Sequence, residues 1–257
     1  FTNVGKVYWL KAYEIPKTQK SSKGQSIRNF LPGISGVETI SRIIPVKDFD
    51  IQKDVVFVTQ KGFVKRTKLS EFSNPRSIGI NAINLEEGDR LIYVGLVSEK
   101  DHLLLISSNG RAIRFSIQDV RPMGRSARGV KGMSLDLDEK IVAATSIEPT
   151  DVYLLIVMER GYGKRVLLSE FPLQRRGGKG VLAAKLSETT GKVADATTLK
   201  GEEDVIIVSK NGKIIKVNSS EIPVYSRYTR GVRIQKLSSE DLVVSVSKVK
   251  ESLEDEE

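Results

Sequence analysis

The chain has 257 residues, 39% of them hydrophobic, and its 41 Lys and Arg against 32 Asp and Glu give a formal net charge of +9. The sequence has no cysteine and one histidine, which excludes disulfides, thiolate chemistry and histidine-rich metal sites. No GxxxxGK[ST] phosphate loop, signal peptide or membrane span is visible. The positive charge therefore predicts a polyanionic partner rather than a membrane.

Five repeats follow one another along the chain with a period of about 50 residues, typical of propeller-like arrays. Two glycines, 17 to 19 residues apart, mark each repeat. The pairs are Gly5 and Gly24, Gly62 and Gly79, Gly110 and Gly129, Gly161 and Gly180, and Gly212 and Gly231.

Each complete repeat opens with an apolar run that predicts a strand buried on both faces. These runs are Val55–Val58, Leu103–Ile106, Leu154–Val157 and Val205–Val208. A turn to the first glycine, a strand of mixed charge, an acidic-apolar step, a basic loop to the second glycine and two further strands follow. Four strands per repeat predict an all-β ring of blades.

The first repeat lacks its opening run, so we expect the chain to be a piece of a longer protein with at least one strand upstream. We assign residues 1–249 to one repeated domain and 250–257 to an acidic tail that does not pack. We expect His102 to be structural, and one acid in each repeat to cap a turn or pair with a neighbouring blade. These acids are Glu14, Glu71, Asp119, Glu170 and Glu221. No active site, metal or cofactor is expected in this chain.

The loops before the second glycine carry the candidate binding residues. These are Lys17, Lys20, Lys23 and Arg28 in the first repeat, Arg121, Arg125, Arg128 and Lys131 in the third, Arg175, Arg176 and Lys179 in the fourth, and Arg227, Arg230 and Arg233 in the fifth. Equivalent loops should form a positive belt around the rim, with a gap at the second repeat, where only Arg76 is basic. We expect this belt to bind and bend double-stranded DNA through its phosphates, with little sequence preference, and we expect Tyr225 and Tyr228 to pack.

The fourth loop also carries a specific motif, Gln174, Arg175, Arg176, Gly177, Gly178, Lys179 and Gly180. This heptapeptide resembles the hallmark box of the C-terminal domain of the A subunit of bacterial DNA gyrase. Residues 161–165, 128–132 and 229–232 extend the resemblance, which covers nearly all of 1–249. We refer to Gln174–Gly180 as the box.

The resemblance implies a β-pinwheel, a ring of four-stranded blades that exchange strands, with about five visible repeats and six possible in the intact protein. It implies a domain that wraps DNA and orients the transport segment for ATP-dependent negative supercoiling. The partners implied are double-stranded DNA, a gyrase B-type subunit, and the N-terminal core of the A subunit, in an A2B2 holoenzyme. ATP and Mg²⁺ would be used elsewhere in that holoenzyme, in the bacterial cytoplasm at the nucleoid.

The position of the box departs from the family pattern, because the family's box usually lies on the first blade and this one lies in the fourth visible repeat. A topoisomerase IV-like A-type subunit that relaxes or decatenates DNA with weak wrapping is therefore an alternative. A second alternative is a protein-interaction propeller whose basic rim binds an acidic protein.

Overall fold

The computed structural model describes residues 1–19 and 21–249, so the predictions for Lys20 and for the acidic tail 250–257 lie outside the described residues. These ranges form seventeen strands: β1 (Lys6–Val7), β2 (Asp54–Thr59), β3 (Phe63–Lys68), β4 (Ile80–Asn81), β5 (Leu91–Val97), β6 (His102–Ser107), β7 (Arg111–Ser116), β8 (Val130–Lys131), β9 (Ile141–Ile147), β10 (Tyr153–Met158), β11 (Tyr162–Leu167), β12 (Val181–Leu182), β13 (Val193–Leu199), β14 (Asp204–Ser209), β15 (Ile214–Asn218), β16 (Val232–Arg233) and β17 (Val243–Lys248). They also contain short 3₁₀ helices at Ala12–Glu14, Ile27–Phe30, Leu69–Phe72, Ile117–Asp119, Leu168–Glu170 and Ser219–Glu221. Within the described part of the chain, no helix has the length and apolar character needed to cross a membrane.

The described chain divides into two compact units, one of residues 1–99 with 120–130 and one of 100–119 with 131 onward. The first unit contains the strand pair β1–β4 and the antiparallel sheet β5–β2–β3–β8. The second unit contains the sheets β12–β7–β6–β9, β13–β10–β11–β16 and β15–β14–β17. The prediction of an all-β chain with four strands per complete repeat is confirmed.

Each four-stranded sheet has one edge strand that comes from the following repeat; these edge strands are β8, β12 and β16. In the second unit, Val181 and Leu182 of β12 pair with Ala112 and Arg111 of β7, although β12 follows the second glycine of the next repeat. β16 of the fifth repeat pairs with β11 of the fourth in the same way. The fourth and fifth basic loops therefore each lead directly into a strand of the preceding repeat's sheet, so each is attached to two repeats at once.

The cores consist mainly of the predicted apolar runs. All four residues of Val55–Val58, Leu103–Ile106 and Leu154–Val157 are fully buried, as expected for strands covered on both faces. The prediction is wrong for Val205–Val208, in which Val205 and Ile207 are buried while Ile206 and Val208 are only half-buried. β14 therefore alternates in burial, because one of its faces is incompletely covered.

The repeat glycines all lie in turns with left-handed backbone, with φ between +64° and +104°. This confirms their use as turn residues, since glycine adopts positive φ without steric cost. The acidic-apolar step is a short 3₁₀ helix in every repeat, which the sequence analysis did not predict. In the first repeat a 3₁₀ helix, Ile27–Phe30, follows Gly24, where the later repeats have a short strand.

Candidate nucleic-acid interface

The basic loops of the third, fourth and fifth repeats share one backbone frame. Each loop begins with a hydrogen bond to the second strand of the preceding repeat's sheet. The three bonds are Met123 N–H to Arg66 O at 2.7 Å, Gln174 N–H to Arg114 O at 2.8 Å and Tyr225 N–H to Arg165 O at 2.8 Å. Six residues later each loop ends at its second glycine, so positions in the three loops correspond one to one.

The second glycine lies directly on the backbone of the preceding repeat. A Cβ atom on Gly129 would lie 2.6 Å from Val64 O, and one on Gly180 would lie 2.7 Å from the carbonyl carbon of Ala112. A Cβ on Gly231 would lie 2.7 Å from the carbonyl carbon of Gly163. Each loop end therefore needs glycine twice, once for its positive φ and once for its close approach.

The double glycine of the box is bound to the preceding repeat by its backbone. Gly177 N–H donates to Gly132 O at 2.6 Å, and Ser134 N–H donates to Gly178 O at 2.9 Å. The Ser134 hydroxyl also donates to Gly177 O at 2.7 Å. These bonds hold the middle of the box against residues 132–134.

The three cations of the box differ in how far they are already engaged. The Arg176 guanidinium donates to Asp119 O at 2.8 Å and to Lys131 O at 3.1 Å. Lys179 pairs with Asp136 at 2.6 Å, but both side chains are more than half exposed, so water and salt weaken this pair. Arg175 is exposed and forms no side-chain hydrogen bond or ion pair within the described ranges. Arg175 and Lys179 are therefore available to an anion, and Arg176 mainly joins two loops.

The fifth loop repeats this division of roles. Arg227, at the position equivalent to Arg176, donates to Leu182 O at 2.8 Å, lies 3.8 Å from Glu170 and is largely buried. Arg230 is exposed and has no side-chain hydrogen bond or ion pair in the described part of the chain. Arg233 is exposed, donates to the Tyr162 hydroxyl at 3.0 Å and lies over its ring.

The two tyrosines of the fifth loop do not pack as the sequence analysis expected. Tyr228 is 61% exposed and Tyr225 is 38% exposed. Arg227 lies 5.1 Å from the centre of the Tyr228 ring and donates to its hydroxyl. The Tyr228 ring therefore lies partly at the surface beside Arg227, where a base or a sugar can contact it.

In the first unit, the third loop also presents cations. Arg128 pairs with Glu86, and its guanidinium lies 4.8 Å from the centre of the Phe63 ring while half of the side chain stays exposed. Arg121 is exposed and Arg125 is half-buried. Lys131, which belongs to the second unit, is exposed as well.

In the first loop, two of the described cations are exposed and a third is engaged by its own loop. Lys17 and Lys23 are exposed. Arg28 instead donates from its guanidinium to the carbonyls of Ser35, Gly36 and Glu38, so it closes its own loop. Whether the loops of both units form the continuous belt stays a prediction.

Three of the residues set aside from the interface have partners within the protein. His102 Nδ1 lies 2.9 Å from Arg114 Nη2, and burial, then the Arg114 charge, lowers the pKa of His102. Glu14 accepts the Lys11 N–H and caps its turn, and Glu170 accepts the Arg227 N–H of the following repeat. Among the described residues, no group of three or more His, Asp or Glu could hold a metal ion.

Two buried lysines, Lys65 and Lys164, were not among the predicted site residues. They lie under the third and fifth loops, and their side chains are fully removed from solvent. Burial lowers the pKa of Lys65 to about 7 and that of Lys164 to about 8. The sequence signal that could have found them is a lysine near the middle of a strand predicted to pack in a core, as in Phe63–Lys68 and Tyr162–Leu167.

Known proteins share both the sequence and the fold of this chain. The family model described as "DNA gyrase C-terminal domain, beta-propeller" matches residues 1–46, 53–98, 101–148, 153–200 and 203–250, one segment for each repeat. The A subunit of DNA gyrase from Chlamydia pneumoniae is 38% identical over 258 residues, which cover 100% of this chain and 31% of that protein. That of Staphylococcus epidermidis (strain ATCC 12228 / FDA PCI 1200) is 41% identical over 253 residues, 98% of this chain and 28% of that protein. The chain thus spans about three tenths of the length of these relatives.

Two solved structures are similar to the whole described fold. The C-terminal domain of DNA topoisomerase IV superposes with a TM-score of 0.90 at 28% identity, covering 97% of this chain and 78% of that chain. The DNA gyrase A C-terminal domain superposes with a TM-score of 0.83 at 29% identity, covering 96% of this chain and 80% of that chain. With the strand exchange, these similarities confirm the predicted β-pinwheel fold class.

Proposed function

Because the chain belongs to the family of the DNA gyrase C-terminal domain, we propose that it binds, bends and wraps double-stranded DNA without sequence preference. The observation that carries this proposal is the exposed cation at one equivalent position of three loops, Arg128, Lys179 and Arg230. Each precedes the glycine that fixes its loop end, so the three charges have equivalent settings on their own repeats.

Phosphate is the chemistry that these loops suit. Arg and Lys bind phosphate oxygens strongly, and an exposed cation gains most from a polyanion that releases counterions when it is neutralised. The interface offers short loops and no recognition helix in the described ranges, so groove readout of bases has no element to carry it. Contacts should therefore position DNA rather than select its sequence.

The relatives extend the proposal to a larger assembly. We place this chain in the A subunit of a gyrase-type A2B2 holoenzyme, together with an N-terminal core and a B-type subunit, in the cytoplasm at the nucleoid. There it would hold the transport segment for ATP-dependent negative supercoiling. ATP and Mg²⁺ would act elsewhere in the holoenzyme, since the sequence has no phosphate loop.

DNA bending by this chain tests the proposal directly. Fluorescence transfer between the ends of a duplex of about 40 bp should rise on binding, since bending 20–30 bp by 40–90° costs only about 1–6 kcal/mol. With six to ten phosphates contacted, the affinity should fall by roughly 10³–10⁵ between 50 and 200 mM salt. Binding that is insensitive to salt, or binding of an acidic protein without DNA bending, would contradict the proposal.

A matched pair of variants separates the loops from general positive charge. Arg175→Ala/Lys179→Ala removes two box cations, and Lys200→Ala/Lys216→Ala removes two exposed lysines that pair with acids outside the loops. The charge change is the same, so non-specific attraction should fall equally. We expect only the box variant to lose most of the DNA bending.

Topoisomerase IV-like activity is the second candidate, and one observation favours it: the higher TM-score belongs to the C-terminal domain of that enzyme. The presence of the box and the gyrase relatives favour gyrase. A holoenzyme reconstituted with the B-type subunit should supercoil relaxed plasmid if the chain wraps strongly. Decatenation without supercoiling would establish the second candidate instead.

A further inference from the structure

Two lysines, each on the second strand of its repeat, are buried and donate hydrogen bonds to backbone carbonyl groups. Lys65 on β3 and Lys164 on β11 occupy the same position, three residues after the first glycine, and both are fully buried. A buried ammonium is costly unless hydrogen bonds satisfy it, so its surroundings indicate what it stabilises.

Lys164 uses its whole ammonium group on the basic loop of the following repeat. Its Nζ donates to Ser226 O at 2.8 Å, Arg227 O at 2.9 Å and Thr229 O at 2.8 Å. An ammonium has three N–H donors, so each is taken by one loop carbonyl. The three carbonyls turn inward around one atom, and the loop between Tyr225 and Arg230 is fixed in a tight arc.

Lys65 supports the third loop in the first unit through one such bond. Its Nζ donates to Arg125 O at 2.6 Å in the third loop and to Ala82 O at 2.5 Å. The ammonium also lies 5.4 Å from the centre of the Phe57 ring, an attractive cation–π position. The third and fifth loops therefore rest on a buried cation from the repeat before.

The box shows that this position does not require lysine for folding. The equivalent residue beneath it is Ile113, whose Cδ1 lies 3.6 Å from where a Cβ of Gly178 would stand. The box is held instead by the bonds of Ser134 and by Gly177 N–H to Gly132 O. The position beneath the loop is therefore apolar where the loop has the double glycine Gly177 and Gly178. It is lysine where the loop has Ser126 and Ala127, or Tyr228 and Thr229, at the equivalent positions.

We propose that Lys164 and Lys65 are positioning residues that hold the fifth and third basic loops in their DNA-binding conformation. The inference rests on the proposed function of these loops. The lysines do not touch DNA, since they are buried; they act through the backbone that carries Arg230 and Arg128.

The charge of the lysines ties this support to pH. Burial lowers the pKa of Lys164 to about 8; the facing Glu170 opposes the shift and the facing Arg227 adds to it. A neutral amine has two N–H donors for three carbonyls, so above that pH one carbonyl of the fifth loop loses its hydrogen bond from Lys164. Beneath the box, Ile113 has no titratable group, and the box carbonyls of Lys179 and Gly180 accept instead from the Arg111 guanidinium, at 2.9 and 2.7 Å.

Hydrogen exchange without DNA tests the positioning step by itself. In Lys164→Met, amides of residues 226–230 should exchange at least about tenfold faster, which is a fall of about 1.4 kcal/mol in the local opening free energy, because the loop loses hydrogen bonds from a charged donor. The Gly177 amide in the box should not change. Equal acceleration in both loops would mean general destabilisation, and no acceleration would mean no positioning; either result overturns the inference.

Raising the pH of the unaltered protein gives a second measurement that needs no substitution. Between pH 7 and 9, exchange of residues 226–230 should accelerate relative to Gly177, after correction for intrinsic rates. A constant ratio overturns the inference even if Lys164→Met fails to fold.

A double-mutant cycle then connects the lysine to DNA. Lys164→Met should weaken DNA binding, and its effect should shrink by about fivefold or more in an Arg230→Ala background, because coupled residues are not additive. In a Lys179→Ala background, the loss of DNA affinity caused by Lys164→Met should be unchanged. Full additivity with both would overturn the inference. Exchange changes without any DNA binding by the unaltered protein would refute the proposed function and leave the positioning step standing.

Discussion

Replacing Gly180 by alanine should break the attachment of the box to the preceding sheet. Gly180 has φ +68°, and its Cα faces the Ala112 carbonyl so closely that a Cβ would lie 2.7 Å from the carbonyl carbon. The next two residues, Val181 and Leu182, pair with Ala112 and Arg111. The new methyl group can be accommodated only if β12 moves away from β7.

The expected loss has two parts. Left-handed backbone costs a residue with a Cβ about 1–2 kcal/mol. Overpacking against a fixed backbone adds about 1–3 kcal/mol. Gly212 isolates the first part, because it has φ +81° and no atom within 4 Å of its would-be Cβ. Gly180→Ala should therefore cost about 2–5 kcal/mol and Gly212→Ala about 1–2 kcal/mol.

Urea unfolding of the two variants measures this difference, with hydrogen exchange at Leu182 as the local readout. Gly180→Ala should also reduce DNA bending, since the box would leave its frame. Equal losses of stability in the two variants would refute the close-approach argument and leave only the backbone term.

Two further predictions follow from the side chains. Arg176→Ala should reduce DNA bending more than Arg175→Ala, because Arg176 donates to the carbonyls of Asp119 and Lys131, whereas Arg175→Ala should cost more affinity; equal bending in a fluorescence-transfer assay would contradict this. Burial raises the pKa of Asp195 to about 6 although the backbone N–H groups of Val246 and Ala196 donate to it. The folded protein therefore holds this proton at a pH where the unfolded chain has lost it, so the stability it gives below pH 4 disappears as the pH rises through 6. The free energy of unfolding, compared with that of Asp195→Asn, should fall by about 2.4 kcal/mol from pH 4 to 7, and a flat difference would contradict it.

Most of the fold could be predicted from the sequence, because turn glycines and apolar runs are signals that depend only on neighbouring residues. Gly110 and Gly161 mark turns that need positive φ, and Leu103–Ile106 is a run that only a doubly covered strand suits. The partner of β12 is not local. Periodicity alone assigns Val181 and Leu182 to the blade of their own repeat, while the hydrogen bonds assign them to the previous one.

The binding residues could be predicted only as a set. Arg175 and Arg176 are adjacent and chemically identical, yet one is exposed and the other donates to two carbonyls of the preceding repeat. The difference depends on where Asp119 O and Lys131 O lie, and no spacing in the sequence encodes that distance. Charge patterning therefore finds the loops but not the roles within them.

The same comparison bears on the box and its unusual place in the fourth repeat. The fifth loop is shaped from below by an ammonium, so its form depends on a charge that burial disfavours. The box is shaped by backbone bonds of Gly177 and Gly178 over the apolar Ile113, which carry no such penalty. A loop fixed largely by its backbone leaves Arg175 and the exposed Lys179 to a ligand, and the Ile113 side chain beneath it does not titrate. This is the physical reason to expect that the box, more than the other loops, anchors the bend in bound DNA.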